Sequence, residues 1–388
     1  MGRFGHFVID ADGHGGEPLG WRRRIPKRFE PQMRAYLASM RATYGDMKAG
    51  GLRVTRPGEK PPAEEHWELG APLQPGMYDP AARIADMDLE GIDVAVLYPP
   101  GSGEEWALGD VEFAAALCRT LNDARAEFAR HAPERFRLVA KLPMIEPKLA
   151  AEELERCVSQ HGMVGLVTAT HIRDKDLDDP SFDVVWGMAE RLDVAVCAHG
   201  GGQAPGQTPF VIERFRSRLG IHAITHPVGA MQAVYNFTVG GILHRFPKLR
   251  AGFMEAGVGW LPFWLERLDE HWEHLPEQAP AIDRPPSAYF LGRCFVTTEP
   301  EEKMVPYVFR SLSPGAICYA SDYCHWDSAF PDSVRILEER SDLDEPTKRA
   351  LFSENAAKLY GLSPREERWG QGRGLTNQTS KDLTGSTP

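Results

Sequence analysis

Asp10, Asp12 and His14 stand at two-residue steps directly after the apolar run 7–9. In extended geometry that spacing turns all three side chains to one side. A carboxylate oxygen from Asp12 and an imidazole nitrogen from His14 suit a borderline divalent cation, and Gly13, Gly15 and Gly16 let the backbone turn without blocking access. Further along come His199 in Cys-Ala-His-Gly-Gly-Gly, Glu255 in Phe-Met-Glu-Ala-Gly, and Asp322 in Ala-Ser-Asp-Tyr-Cys-His-Trp-Asp. Asp12, His14, His199 and Asp322 make a mixed nitrogen and oxygen ligand set, with Glu255 left to move protons. Each has an ordinary alternative use: His199 as a polar strand end, Asp322 as a helix cap or Asx turn, Glu255 as an ion-pair partner of Arg250 or Arg293. His325 and Asp327 beside Asp322 read as supporting groups or loop polar residues. His226 in Thr-His-Pro, Lys141 and His171 read as structural or peripheral, and Trp260, Phe263 and Trp264, at helical spacing, as core packing.

These residues end apolar stretches that alternate with helical patterns. Strands are expected over 7–12, 93–98, 137–142, 165–168, 194–199, 249–254, 294–298 and 316–321. Helices are expected near 80–90, 110–131, 148–161, 180–192, 223–244, 258–274, 301–312 and 345–358. Near-continuous apolar strands covered by helices imply a parallel sheet, and eight such units imply a (β/α)8 TIM barrel. No G-x-G-x-x-G turn follows the first strand, which weighs against an open doubly wound sheet. In a barrel, side chains just past each strand share one mouth, so the candidates above would converge there. Residues 19–76 are irregular, with Arg22-Arg23-Arg24 and a weak helical patch over 31–44. They read as a long insertion after the first strand, one that shapes the site, runs over the surface or forms a dimer arm. The barrel domain is expected over 1–362, and the polar stretch 363–388 as a disordered or subunit-crossing tail.

The chain has 388 residues and a formal net charge of -11, which argues against a general nucleic-acid or anionic-membrane partner. No apolar run approaches membrane-spanning length, and the first thirty residues do not read as a cleavable leader, so a cytoplasmic protein is expected. The six cysteines form no C-x-x-C pair and are expected to be buried free thiols. With no P-loop and no dinucleotide fingerprint, a nucleotide-dependent enzyme is disfavoured.

Taken together and in order, Asp-Ala-Asp-Gly-His at 10–14, the stretch 83–94, Ala-His-Gly-Gly-Gly at 198–202, the stretch 240–249, Glu-Ala-Gly-Val-Gly-Trp at 255–260 and Ser-Asp-Tyr-Cys-His-Trp-Asp at 321–327 carry a resemblance. The sequence resembles the amidohydrolase-related metalloenzymes, in the branch containing aminocarboxymuconate semialdehyde decarboxylase and γ-resorcylate decarboxylase. That resemblance covers residues 7–361 and implies one divalent ion, zinc with manganese, iron or magnesium as alternatives, held by Asp12, His14, His199 and Asp322. It also implies that Asp322 works near both the ion and the transferred proton; Glu255 and His325, read from their positions, are the further acid/base candidates. Two departures stand out: Asp12 occupies a position where the family offers His or Glu, and Glu255 stands where its decarboxylases carry a His. The expected activity is decarboxylation, or another carbon–carbon lyase reaction, on a small carboxylated or aromatic substrate. A hydrolase of amide, ester, lactone or carbon–carbon bonds is the alternative, and a catalytically weak barrel with a binding role is a third reading motivated by Asp12. A homo-oligomer, dimer or larger, is expected.

Overall fold

The computed structural model describes residues 4–44, 67–68, 71–72, 74–99, 109–200, 218–312, 314–325 and 327–362. The expected tail 363–388 and the middle of the insertion lie outside the described residues. Eight parallel strands form one sheet in sequence order: β1 (Ile9–His14), β2 (Val94–Tyr98), β3 (Phe136–Lys141), β4 (Gly165–Thr168), β5 (Ala195–His199), β6 (Ala251–Met254), β7 (Cys294–Thr298) and β8 (Ile317–Tyr319). The ring closes just beyond β8, where Asp322 N donates to Asp12 O at 3.2 Å and His14 N to Tyr323 O at 2.7 Å. The fold is a (β/α)8 barrel.

Alternation dictates the layers. Ile9, Val94, Val96, Tyr98, Val139, Val167, Cys197, Met254, Phe295 and Cys318 point inward and pack as one buried cluster. Their neighbours Ala95, Leu97, Leu138, Leu166, Val196, Phe253 and Val296 point outward to the helices in a larger one. The surrounding helices include α1 (Glu30–Tyr44), α2 (Pro80–Glu90), α3 (Val111–Ala129), α4 (Pro147–His161), α5 (Asp183–Leu192), α6 (Arg218–Phe237), α7 (Leu261–His274) and α8 (Val305–Ser311). Asp79 caps α2, accepting from Ala81 N at 2.9 Å, and Asp110 caps α3, accepting from Phe113 N at 2.9 Å. The expected helix 345–358 is three pieces, Glu345–Arg349, the π-turn Ala350–Glu354 and Asn355–Tyr360. Their last residues pack Leu359 and Tyr360 into the inner cluster.

The described start of the insertion turns away from the barrel. Trp21, Ile25, Phe29, Met33 and Tyr36 pack on Phe113, Leu117, Leu121 and Ala124 of α3 as a separate small core. Burying large side chains of this kind stabilises by about 1.5–3 kcal/mol each. Directly after the insertion the chain is back at the mouth, where Met77 packs with Tyr323 and Cys324.

The first strand differs from expectation in both place and direction. It runs over Ile9–His14, so the acidic residues and the histidine lie inside it. Asp10 pairs with Ala95 and Gly13 with Leu97, leaving Ala11 and Asp12 opposite the single residue Val96. This bulge breaks the two-residue alternation. Asp10 therefore points out of the barrel, where its carboxylate accepts from Ser321 N at 2.9 Å and Ser321 Oγ at 2.6 Å, while Asp12 and His14 point in. Gly13 shares the outer side with Asp10, and a Cβ there would lie 2.5 Å from Asp10 Oδ2. The six cysteines are buried free thiols. Trp260 and Trp264 pack against the core as expected, but Phe263, between them, is 58% exposed because it falls on the outer face of α7. No helix among the described residues is long and apolar enough to cross a membrane.

Candidate metal centre and active site

Strand ends deliver the chemistry. Asp12 and His14 come from β1, His199 from the last position of β5, Glu255 directly follows β6, and Asp322 follows β8. Met254 and His199 are paired in register, which places Glu255 and His199 side by side at the mouth. Glu255 and Asp322 both have left-handed backbones, with φ of 51° and 49°. A non-glycine residue held there costs on the order of 1 kcal/mol or more, and such strain concentrates at functional sites. Thr297 Oγ1 accepts from Glu255 N at 3.0 Å and helps to hold that turn.

His14 links the expected ligands. His14 Nε2 lies 3.1 Å from Asp322 Oδ1 and 3.8 Å from Asp12 Oδ1, and His199 Nε2 lies 3.6 Å from Asp12 Oδ1. One donor atom each from Asp12, His14 and His199 fall within 4.8 Å of one another, as do those of His14, Glu255, Asp322 and His325, with His14 common to both groups. Donors about 2.0–2.2 Å from a tetrahedral ion stand roughly 3.4 Å apart, which these separations match. Asp12 Oδ1 and His14 Nε2 are buried and take part in no hydrogen bond among the described residues, an arrangement that is costly unless a cation lies between them. His199 Nδ1 donates to Gly200 O at 2.8 Å, which leaves Nε2 as the nitrogen able to ligate; burial disfavours its charge, but Asp12 and then Glu255 raise its pKa to about 9, and an ion on Nε2 would take the place of that proton. The residues present therefore fit a divalent ion.

Glu255 is the hub of the remaining groups. Oε2 faces His199 Nε2 at 3.3 Å, while Oε1 faces His226 Nε2 at 3.5 Å, His222 Nε2 at 3.6 Å and His325 Nδ1 at 3.6 Å. Burial would raise its carboxyl pKa, but the charges of His226 and His325, the hydrogen bond from His222 and the charge of His199 outweigh that and hold it well below the usual carboxylate range. Arg250 and Arg293 are engaged elsewhere: Arg250 with Asp193 and Leu359 O, Arg293 with the carbonyls of Leu243 and Pro247. Burial raises the pKa of Asp322, against the opposing pull of His325. His325 Nδ1 lies 2.6 Å from Asp322 Oδ1, and although burial disfavours its charge, Asp322 and then Glu255 push it up to about 10. A small pocket opens beside these groups, lined by Asp12, Glu255, Thr297, Glu299, Glu302 and Asp322 among others. Burial, followed by the charges of Asp322 and Asp327, pushes Glu299 up to about 8.

Sequence reasoning undervalued one residue here and missed another. His226 is not peripheral, and His222 had not been singled out. The two are four residues apart on α6, so a helix stacks them on one face, with ring centroids 4.4 Å apart. That His-x-x-x-His spacing was the available signal. Gly200 admits them to the site: a Cβ there would lie 2.8 Å from His226 Cδ2 and 3.0 Å from its Cα. Lys141 and His171 are not brought into the cluster. Lys141 is buried at the end of β3, where Asn122 holds its backbone, and His171 sits in a small hairpin with Lys175 and Asp176.

The amidohydrolase family profile matches residues 9–362, the whole barrel. The chain belongs to the amidohydrolase family. Among curated relatives of this amidohydrolase is a 2-amino-3-carboxymuconate-6-semialdehyde decarboxylase from Dictyostelium discoideum, 24% identical over 299 residues that cover 74% of this chain and 78% of that protein. A gamma-resorcylate decarboxylase from Rhodococcus jostii is 29% identical over 328 residues, covering 77% of this chain and 97% of that one. Among solved structures, the 5-carboxyvanillate decarboxylase of Novosphingobium aromaticivorans, complexed with manganese and 4-hydroxy-3-methoxy-5-nitrobenzoic acid, superposes with a TM-score of 0.70 at 22% identity. That alignment covers 93% of this chain and 97% of the other, and at this identity it speaks for the fold.

Proposed function

We propose that this enzyme is a metal-dependent decarboxylase of small carboxylated aromatic compounds. The observation that carries the reading is the gathering of Asp12, His14 and His199 donor atoms within 4.8 Å of one another, with Asp322 Oδ1 3.1 Å from His14 Nε2 and the Asp12 and His14 donor atoms otherwise unsatisfied. The decarboxylase relatives, which act on carboxylated substrates by their names, supply the reaction class. Electrostatics agrees: a carboxylate substrate entering a mouth lined by Asp12, Glu255 and Asp322 would be repelled without a cation. Zinc is the ion we propose for this donor set, with manganese, found in a structural relative, as its direct competitor and iron and magnesium behind it. When bound, the ion supplies Lewis-acid polarisation of a substrate carboxylate or phenol oxygen.

The chain's own residues then divide the work. His325 donates to Asp322, which shuttles a proton to the ring carbon bearing the carboxylate. The carbon–carbon bond breaks, its electron pair restores the ring and carbon dioxide leaves. Glu255, held in place by its histidines, presents Oε2 to the substrate side and serves as an orienting and acid/base group. Tyr98, whose ring lies 5.5 Å from His199 and 6.2 Å from His14, gives the inner end of the site an aromatic floor. The same reading includes a cytoplasmic enzyme, supported by six buried free thiols, and a homo-oligomer, supported by exposed Phe263, Met304 and Tyr307 on and beside the packed helices α7 and α8.

The test is carbon dioxide release from a panel of hydroxylated aromatic carboxylates by protein of measured metal content, set against amide, ester and lactone panels. Release from at least one aromatic acid, lost on chelation and restored by zinc or manganese, is the expected result. Turnover confined to the hydrolysable panel would replace the lyase with a hydrolase, and absence of both metal and turnover would leave a binding barrel.

A further inference from the structure

His222 and His226 take part in no step of the proposed reaction beyond holding Glu255, yet their geometry is specific. Both lie on α6 one turn apart, and both Nε2 atoms face the same carboxylate oxygen, Glu255 Oε1, at 3.6 and 3.5 Å. All three donor atoms fall within 4.8 Å of one another. Those spacings are near the roughly 3.4 Å that separates donors around one tetrahedral ion. Gly200 is what allows this approach, since any side chain there would meet the Cα of His226.

Hydrogen bonding fixes the direction of the His226 ring. Its Nδ1 lies 3.1 Å from His222 O, and a carbonyl can only accept, so Nδ1 carries the hydrogen. In the neutral ring Nε2 is then a lone pair, and it is aimed at a carboxylate oxygen. Two acceptors face each other across 3.5 Å, in a side-chain pair of which each member is 8% exposed. Either a proton on Nε2 or a cation lying between the two atoms removes the conflict, and the cation would draw on His222 Nε2 at the same time. On the outer side, Asp327 brings Oδ2 to 3.9 Å from His222 Nε2, and its Oδ1 is buried with no hydrogen bond among the described residues.

We infer that His222 Nε2, His226 Nε2 and Glu255 Oε1 form a second divalent-cation site, closed on the solvent side by Asp327 and sharing Glu255 with the first. Two imidazoles and a carboxylate suit zinc, manganese or iron(II) in preference to magnesium or calcium. Glu255 then spans two centres: Oε1 binds the second ion, and Oε2 still faces His199. The short His-x-x-x-His spacing on a helix gives the second site two donors from one rigid element. The first takes its donors from three strands.

The experiment is metal stoichiometry on the full chain, stripped with chelator and reloaded with excess manganese or zinc, followed by mass-spectrometric metal analysis and equilibrium dialysis. Wild type should hold two ions per chain. The double variant His222→Ala/His226→Ala should hold one, and His14→Ala should also hold one, so the two sites report separately and loss of the first does not erase the second. Manganese-loaded wild type should show spin–spin coupling between neighbouring ions that the double variant lacks. One ion per chain in wild type at saturating manganese, or two ions retained in the double variant, overturns the inference and assigns the gap to a proton on His226. Should the double variant fail to fold, anomalous diffraction from manganese-soaked wild-type crystals decides. A peak between His222, His226 and Glu255 is expected, and a peak only between Asp12, His14, His199 and Asp322 refutes the second site.

Discussion

His14 presents Nε2 to the carboxylates of Asp12 and Asp322 and His199 presents Nε2 to Asp12, and neither imidazole belongs to the hydrophobic clusters. His14→Ala and His199→Ala should therefore lose metal and turnover together while circular dichroism and the unfolding midpoint stay near wild type. Full metal occupancy in both variants would remove them from the ligand set, and loss of folding would make the ion structural. Glu255 gives a different test, because Gln keeps its shape and removes its charge. Glu255→Gln should lower turnover on the order of 100-fold if the group transfers or directs protons. Unchanged turnover across the pH range, with reduced stability alone, would leave Glu255 a structural anchor for its histidines. Both residues beside the metal point that hold left-handed backbones, Glu255 and Asp322, are ones to which the proposal gives chemical work.

At the scale of elements, two devices aim these side chains. The bulge in β1 sets Asp12 and His14 inward and sends Asp10 to Ser321 and, at 4.0 Å, to Arg83 on α2. Arg83 also donates to His14 O at 2.8 Å and stacks over the Tyr323 ring, so α2 braces both ends of the barrel closure. The second device is the close crossing of α6 over Gly200. Gly200→Ala would drive a methyl group into the His226 backbone, which cannot swing aside as a flexible side chain would. We expect a loss of roughly 1–3 kcal/mol, the usual cost of overpacking, together with a displaced His222/His226 pair. Chemical denaturation and metal stoichiometry measure the two effects separately. Wild-type stability in the variant would show that α6 stands off from β5 in solution.

Across the whole molecule, a buried polar network ties the outer layer near the barrel closure, and it titrates. Glu90 of α2 accepts from Ser333 Oγ, which also pairs with Tyr319 OH of β8 at 2.5 Å. Burial is the main cause that pushes the Glu90 carboxyl from 4.5 up to about 8; Ser333 opposes it, Asp10 adds to it and Arg83 opposes it. The folded state therefore binds this proton more tightly than the unfolded chain. Its stabilising contribution is complete below about pH 4.5 and is lost as pH rises through about 8. Glu90→Gln keeps a neutral partner for Ser333, so unfolding free energy should fall less between pH 5 and 9 in the variant than in wild type, by roughly 2–4 kcal/mol. Parallel pH profiles for the two proteins would mean that Glu90 is ionised in the folded state. The amidohydrolase family match ends at residue 362, and residues 363–388 lie outside the described residues.

Strand count, parallel order and the positions that end β1, β5, β6 and β8 were legible in the residues, because period-two apolar runs and helical runs are local properties of the chain. The candidates Asp12, His14, His199, Glu255 and Asp322 followed from them, since a barrel sends all strand ends to one face. What sequence could not express is any feature that depends on a neighbour. The direction of Asp10 turned on one extra residue relative to β2, which only the strand pairing reveals. The value of His222 and His226 turned on how closely α6 crosses β5, set by the missing side chain of Gly200 and visible only once helix and strand are packed. Exposure of Phe263 turned on which face of α7 meets the barrel. Local periodicity names the elements and their ends, and packing decides which side chains share a cavity and what charge each must carry there.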